Sequence, residues 1–406
     1  MTGRAETDWF RRARRSGATL AAGLWAAQFA LTTQALLVVA WMPWLARDMG
    51  VPFAAGAALI SLYAVLLAVG ALAGGVLIDF AGPRRVAAAG VFIAATGLSL
   101  HAFVDTFAGF AVVRVVTGAG HALLGGALLP LMANRFRFSA GRTFGRVMSG
   151  GGAGQTVGVA AGLVLAEHGA GAAVFAGCGG LLALSGWRVF LDAGTAGGAA
   201  GTGTPFAWTG ELRARLGGLR ALSFAWQGCA AQFFMYAGSA LLVVFFPAWW
   251  TLAAGHGAMG LAAVLFGAGI VQTICTAWGG LLAERFSAPA VVRLSLWVSA
   301  GLLLVGSGLQ WLPAAWMTAV YLAGVAVMSV RLSPVQVVVS GAVARRDAGS
   351  WLGLLTAVGQ AGRAGGGALG ALMFAPGGLA VVLVAGAVAF FLSEHAFSKA
   401  YGKTLR

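Results

Sequence analysis

Three arginines, Arg114, Arg331 and Arg363, each stand inside a long apolar run, and no aspartate or glutamate accompanies them there. A charge in the hydrocarbon region costs at least about 2.5–3.5 kcal/mol on insertion scales, so a residue kept there is a candidate for function. The planar fork of arginine binds carboxylate or phosphate through two parallel hydrogen bonds. Three cations without buried acids suit an anionic or electron-rich solute, whereas a site for lipophilic cations would place an acid among them. His121 follows Arg114 by seven residues, so the two share nearly one helix face. Histidine titrates near neutral pH and is a candidate carrier of a coupling proton.

Other polar residues recur at helical spacing. Gln28 and Thr32 are four apart; Gln232, Tyr236 and Ser239 form a stripe; Tyr321 and Met328 are seven apart. Polar side chains in lipid-spanning helices face protein or water, and a mixed polar and aromatic lining suits a small organic solute. Hydrogen bonding between helices is their alternative use. Arg331, three residues before Pro334, is expected to snorkel toward the cytoplasm. Arg363 is expected to reach either a central cavity or neighbouring backbone carbonyls. Met235, Met259, Met328 and His256 are soft-metal candidates, but only His256 and Met259 lie close in sequence, so no metal site is assigned. Cys178, Cys229 and Cys275 lie in apolar runs and read as packing residues. No acid pair, phosphate loop or lysine outside Lys399 and Lys403 offers an enzyme site, and no cofactor is expected.

These residues are carried by unusually apolar elements. The chain of 406 residues is 60% hydrophobic and 9% charged, where a soluble domain carries roughly 25% charged residues. Apolar runs of bilayer-spanning length recur from end to end, without the period-2 alternation of a membrane barrel. The spacing predicts helices near 18–44, 53–78, 85–104, 107–132, 142–166, 170–191, 219–248, 258–283, 289–309, 313–338, 350–374 and 378–397. The net charge of +15 does not signal nucleic acid. All basic residues except Arg47 and the three buried arginines cluster at the termini and in alternate loops. That bias places both termini in the cytoplasm and the protein in the inner membrane. Trp41, Trp44, Trp249, Trp250, Trp311 and Trp316 fall at the opposite ends, as an interfacial belt would. His101, His168 and His256 are read as interfacial too. The Gly- and Thr-rich stretch 193–217 reads as a linker between domains 1–192 and 218–406, six helices each.

The halves repeat. GGVLID at 74–79 has a counterpart in GGLLAE at 279–284. Gly141, Gly145, Gly154, Gly158 and Gly162 find partners at one constant offset in Gly349, Gly353, Gly362, Gly366 and Gly370. Gly150, Gly154, Gly158 and Gly162 recur every four residues as a ladder, as do Gly362, Gly366 and Gly370. Such ladders let helices approach closely in lipid.

In these features the chain resembles the major facilitator superfamily. Gly75, Leu77, Asp79, Gly82, Arg84 and Arg85, in GVLIDFAGPRR, match the family's loop after helix two apart from Pro83. Arg114, Gly118 and Gly120 match its R-x-x-x-G-x-G pattern. The family's antiporter pattern in helix five is broken here by Gln155 and Val159. The resemblance implies an all-α membrane fold of 12 transmembrane helices, in two pseudo-repeated six-helix bundles around a central cavity. It implies a cytoplasmic latch built on Gly75, Asp79, Gly82, Arg84 and Arg85. It links Arg114 to proton coupling or packing, and has helices one, four, seven and ten line the cavity. The expected function is secondary transport of a small organic solute, anionic or polar, by alternating access in a monomer within the lipid bilayer, with protons a candidate coupling ion. Three other readings are a proton-coupled multidrug or metabolite efflux pump, a copper uptake permease, and a non-transporting sensor or assembly factor.

Overall fold

The computed structural model describes residues 2–135, 140–191, 217, 224–309, 312–343 and 348–402. The linker stretch 193–216 lies outside them, as do Arg137, Arg345 and Trp311. Every described element is helical, as lipid demands: with no water to serve exposed amides, the backbone must satisfy itself within each segment.

α1 is Thr2–Asp48, α2 Phe53–Ala81, α3 Pro83–Leu100 and α4 Phe107–Arg135. α5 comprises Ala140–Ala153, a π-turn at Gly154–Gly158 and Val159–Glu167. α6 is Gly171–Leu191. α7 is Ala225–Ala248, continued by a π-turn at Trp249–Ala253. α8 is Ala258–Phe286 and α9 Ala288–Leu309. α10 has two pieces, Ala314–Val330 and Leu332–Gly341, broken at Arg331 three residues before Pro334, whose ring cannot continue an unbroken helix. The final helical run, Ala348–Tyr401, is divided by the non-helical backbone of Gly378 into α11 and α12. The expected helices therefore appear, with α1 starting 16 residues before position 18.

Ten of these helices are long and apolar enough to span a bilayer. The other two are α5, interrupted by its π-turn, and α11, diluted by glycine, Gln360 and Arg363.

α3 packs on α4 and α6, α2 on α4, and α1 on α5 and α6; likewise α7 packs on the α11–α12 run, α8 on α10, and α9 on α10 and α12. The two sets meet where α2 contacts α11, α5 contacts α8 and α1 contacts α7. The glycine ladders explain two close packings. A side chain on Gly150, Gly154 or Gly158 would strike Trp25, Phe29 or Thr33 of α1. One on Gly362, Gly366 or Gly370 would strike Phe233, Ala237 or Phe245 of α7. The sequence repeat is thus a repeat of the same helix pairing.

The loop repeat is equally visible. Gly82, between α2 and α3, has φ 82° and ψ 149°, a conformation open to glycine, and Pro83 then starts α3 at a position where its missing N–H costs nothing. Ser287 holds nearly the same angles, φ 73° and ψ 137°, between α8 and α9, although it carries a side chain.

Candidate central site

Arg114 leaves α4 at a level where α1 and α2 pack against it, and it is 1% exposed. Its Nη1 donates to Oε1 of Gln34 on α1 at 2.8 Å. Gln34 Nε2 donates to the hydroxyl of Tyr63 on α2 at 2.6 Å. That hydroxyl lies 2.6 Å from Nδ1 of His121, two turns along α4. The guanidinium also covers the Tyr63 ring, 4.1 Å from its centroid. Gly118, on the same face between Arg114 and His121, makes room: a Cβ there would sit 3.2 Å from the Tyr63 ring. Gly120 faces α3, where a side chain would strike Gly90 and Ala94. The glycines of the R-x-x-x-G-x-G pattern thus seat Tyr63 under Arg114 and α3 against α4.

Across the interface, Arg363 of α11 stands exposed. Its guanidinium lies over Tyr236 of α7, 5.2 Å from the ring centroid. Thr356, Gln360, Arg363 and Gly367 follow one stripe of α11. Gly367 meets α2, where a Cβ would come within 3.0 Å of Ser61 Oγ. Arg363 accordingly projects along the seam between α11 and α2, apart from the glycine face that grips α7. Among the described residues no carboxylate pairs with Arg363. A second polar contact crosses the seam at α5 and α8, where Gln155 Nε2 donates to Gln272 Oε1. Next to it is a gap of about 30 Å3 lined by Gln155, Leu36, Pro247 and Tyr321 among others.

The remaining candidates lie elsewhere. Arg331 does not snorkel. It is 2% exposed, donates to Ser299 at 2.9 Å and Ser239 at 3.0 Å, and covers the Phe390 ring at 4.7 Å. Those partners on α9, α7 and α12 hold it inside the second set of helices. Gln232 is buried near Ser393 and Tyr401. Thr32 faces Gly151 of α5, Gln28 is buried on α1, and Met328 packs half-buried against the core. Tyr321 lines the small gap with its ring stacked on Phe246 at 4.0 Å and 12°. His101 is buried rather than interfacial, between Phe110 and Phe175 with Nδ1 2.7 Å from Gly97 O. Trp249 and Trp250 are likewise buried, whereas Trp316 is exposed. Of the soft-metal candidates, Met235 is buried, Met259 is exposed, and His256 lies against Trp250.

In the loop after α2, Arg84 donates to the Phe190 carbonyl at the end of α6, a cation on the negative end of a helix. The surroundings of Gly75 and the side chain of Asp79 lie outside those described. At the bundle face away from the chain termini, Phe53 of α2 meets Phe245 of α7 at 6.1 Å and Phe374 of α11 at 5.6 Å. Phe245 and Phe374 also touch, at 5.6 Å.

The family model of the Major Facilitator Superfamily matches residues 24–227. The chain belongs to the Major Facilitator Superfamily. It is an integral membrane protein of a transporter family, with the superfamily's all-helical fold. Among solved structures it is similar to a crystal structure of the nucleoside transporter NupG in a point-mutant form. That match has TM-score 0.72 and 15% identity, covering 94% of this chain and 100% of that one. At that identity the likeness concerns the fold. No curated protein matches the sequence.

Tyr63 and Gln34 were not singled out in the sequence. Each stands in a largely apolar run, and each becomes informative only when α1, α2 and α4 come together. Tyrosine is scarce here, 4 in 406 residues, and a tyrosine inside a spanning helix was the available signal.

Proposed function

We propose that this superfamily member carries a small anionic or polar organic solute across the membrane by alternating access. The solute would be held at the seam by Arg363 and Tyr236 from one side and His121 from the other. One observation carries the reading: Arg363 is exposed at the seam, rests on an aromatic face, and has no carboxylate partner among the described residues. An accessible guanidinium without a counterion suits a carboxylate or phosphate that arrives and leaves. Residues 1–192 and 218–406 would be the two rocking bundles, joined by 193–217. The arginine distribution favours the cytoplasmic membrane, with both termini inside. The phenylalanine cluster is then the outer closure, and this structure is the state closed on that side. The latch of Gly75, Asp79, Gly82, Arg84 and Arg85 would belong to the opposite state, since Arg84 is here engaged by Phe190 of its own half.

The test is a thermal-shift panel on purified protein with small carboxylates, organic phosphates, lipophilic cations, neutral sugars and Cu(I). A ligand at 100 times its dissociation constant stabilises by about 2.7 kcal/mol. The expected result is stabilisation by anions that disappears in Arg363→Gln. Stabilisation by lipophilic cations alone would overturn the anion reading in favour of efflux.

A further inference from the structure

The polar chain from Arg114 to His121 has a direction that chemistry alone assigns. An arginine guanidinium donates and never accepts. The Gln34 atom facing it at 2.8 Å is therefore the carbonyl oxygen, and the atom facing Tyr63 at 2.6 Å is the amide nitrogen, a donor. The Tyr63 oxygen accepts that bond. Its single hydrogen then points to the other neighbour, His121 Nδ1, at 2.6 Å. The reverse arrangement, Nδ1–H donating to Tyr63, would leave a buried phenol hydrogen with no acceptor among the described residues. Nδ1 is thus an acceptor, and the neutral ring carries its hydrogen on Nε2. His121 is half-buried, and Nε2 has no partner among the described residues. Both donors adjoin one stretch of α2: His121 touches Tyr63, and Gly367, one turn along α11 from Arg363, meets Ser61 two residues before Tyr63.

We propose that Arg114, acting through Gln34 and Tyr63, fixes His121 as a neutral Nε2–H donor, so that the seam presents two donors, His121 and Arg363, to a solute bearing a carboxylate or similar acceptor. Arg114, Gln34 and Tyr63 are positioning residues, and His121 contacts the solute as a donor in place of carrying a proton. This rests on the transport reading for its solute, but the tautomer stands independently of it.

The experiment is nitrogen NMR on the full-length protein labelled with 15N-histidine, at pH 7.5 without ligand. There are 5 histidines, and His121→Asn identifies the signal. The expected pattern is a pyridine-type Nδ1 and a pyrrole-type Nε2. In Gln34→Glu the carboxylate accepts from both Arg114 and Tyr63, which frees the Tyr63 oxygen to accept from Nδ1–H. The two nitrogen types should exchange, and stabilisation by carboxylates should weaken at least about tenfold in dissociation constant, the scale of one charge-assisted bond. Tyr63→Phe, which retains the ring beneath Arg114, should give a mixture of tautomers. An imidazolium signal in the parent protein, or a pattern unmoved by both variants, overturns the relay. The expected tautomers without carboxylate binding would uphold the relay and overturn the reading of the seam as a carboxylate site. Carboxylate binding equal in the parent and Gln34→Glu would overturn the donor role of His121.

Discussion

At the scale of single residues, the three membrane arginines divide by what surrounds them. Arg331 is enclosed by Ser239, Ser299 and Phe390, while Arg363 is exposed and rests on Tyr236. Arg331→Ala should lower stability by about 2 kcal/mol or more, since it removes a long buried side chain and leaves a cavity. Arg331→Met should recover most of that loss, because an apolar chain of similar reach fills the space without a buried charge. Arg363→Gln should stay within about 0.5 kcal/mol of the parent, as exposed substitutions do. Thermal unfolding in one detergent compares all three, and an equal loss in Arg363→Gln would make Arg363 structural. All three arginines were legible in the sequence as costly residues in apolar runs. The direction of Arg331 was not, because Ser239 and Ser299 are brought to it by helices distant in sequence. Gln34 and Tyr63 were hidden for the same reason: periodicity reports which face a residue occupies and says nothing of which helix meets that face.

At the scale of elements, the repeated loop offers a direct comparison within one chain. Gly82 and Ser287 hold nearly the same backbone angles, but only glycine does so without steric cost. A side chain in that region costs about 1–3 kcal/mol. Ser287→Gly should therefore raise stability by about 1 kcal/mol, read as a higher melting temperature; a decrease would show that the serine is held by something worth more than the strain. The ladder makes the opposite prediction. Gly158→Ala should destabilise by about 1–3 kcal/mol, because the new methyl meets Thr33, whereas Gly152→Ala, with open space around it, should be nearly neutral. Helix number and order were legible because lipid leaves the chain few alternatives. The break at Arg331 had a signal in Pro334, but the π-turns of α5 and α7 did not show, because the hydropathy runs straight through them.

At the scale of the whole molecule, what matters is how the two helical sets hold together and where they would part. The contacts across the seam differ in kind. The middle holds a glutamine pair and a guanidinium, while the face away from the termini holds three phenylalanines. Among the described residues that face is joined by apolar rings, which part without breaking an ion pair. Removing the Phe53 ring deletes two of the three ring contacts, worth roughly 0.5–1.5 kcal/mol each beyond the buried area. If the proposed rocking is right, Phe53→Ala shifts the balance toward the state open on that face by about tenfold or more, the factor that 1.4 kcal/mol gives. The readout is labelling of Gln272→Cys by a membrane-impermeant maleimide added from that side, with Cys178, Cys229 and Cys275 replaced by serine. Gln272 lies partway along α8 at the seam, beside Gln155, so if the rings close that face it should react slowly in the parent and about ten times faster with Phe53→Ala. An unchanged rate would mean that the rings are packing without gating, and that the halves part along some other line.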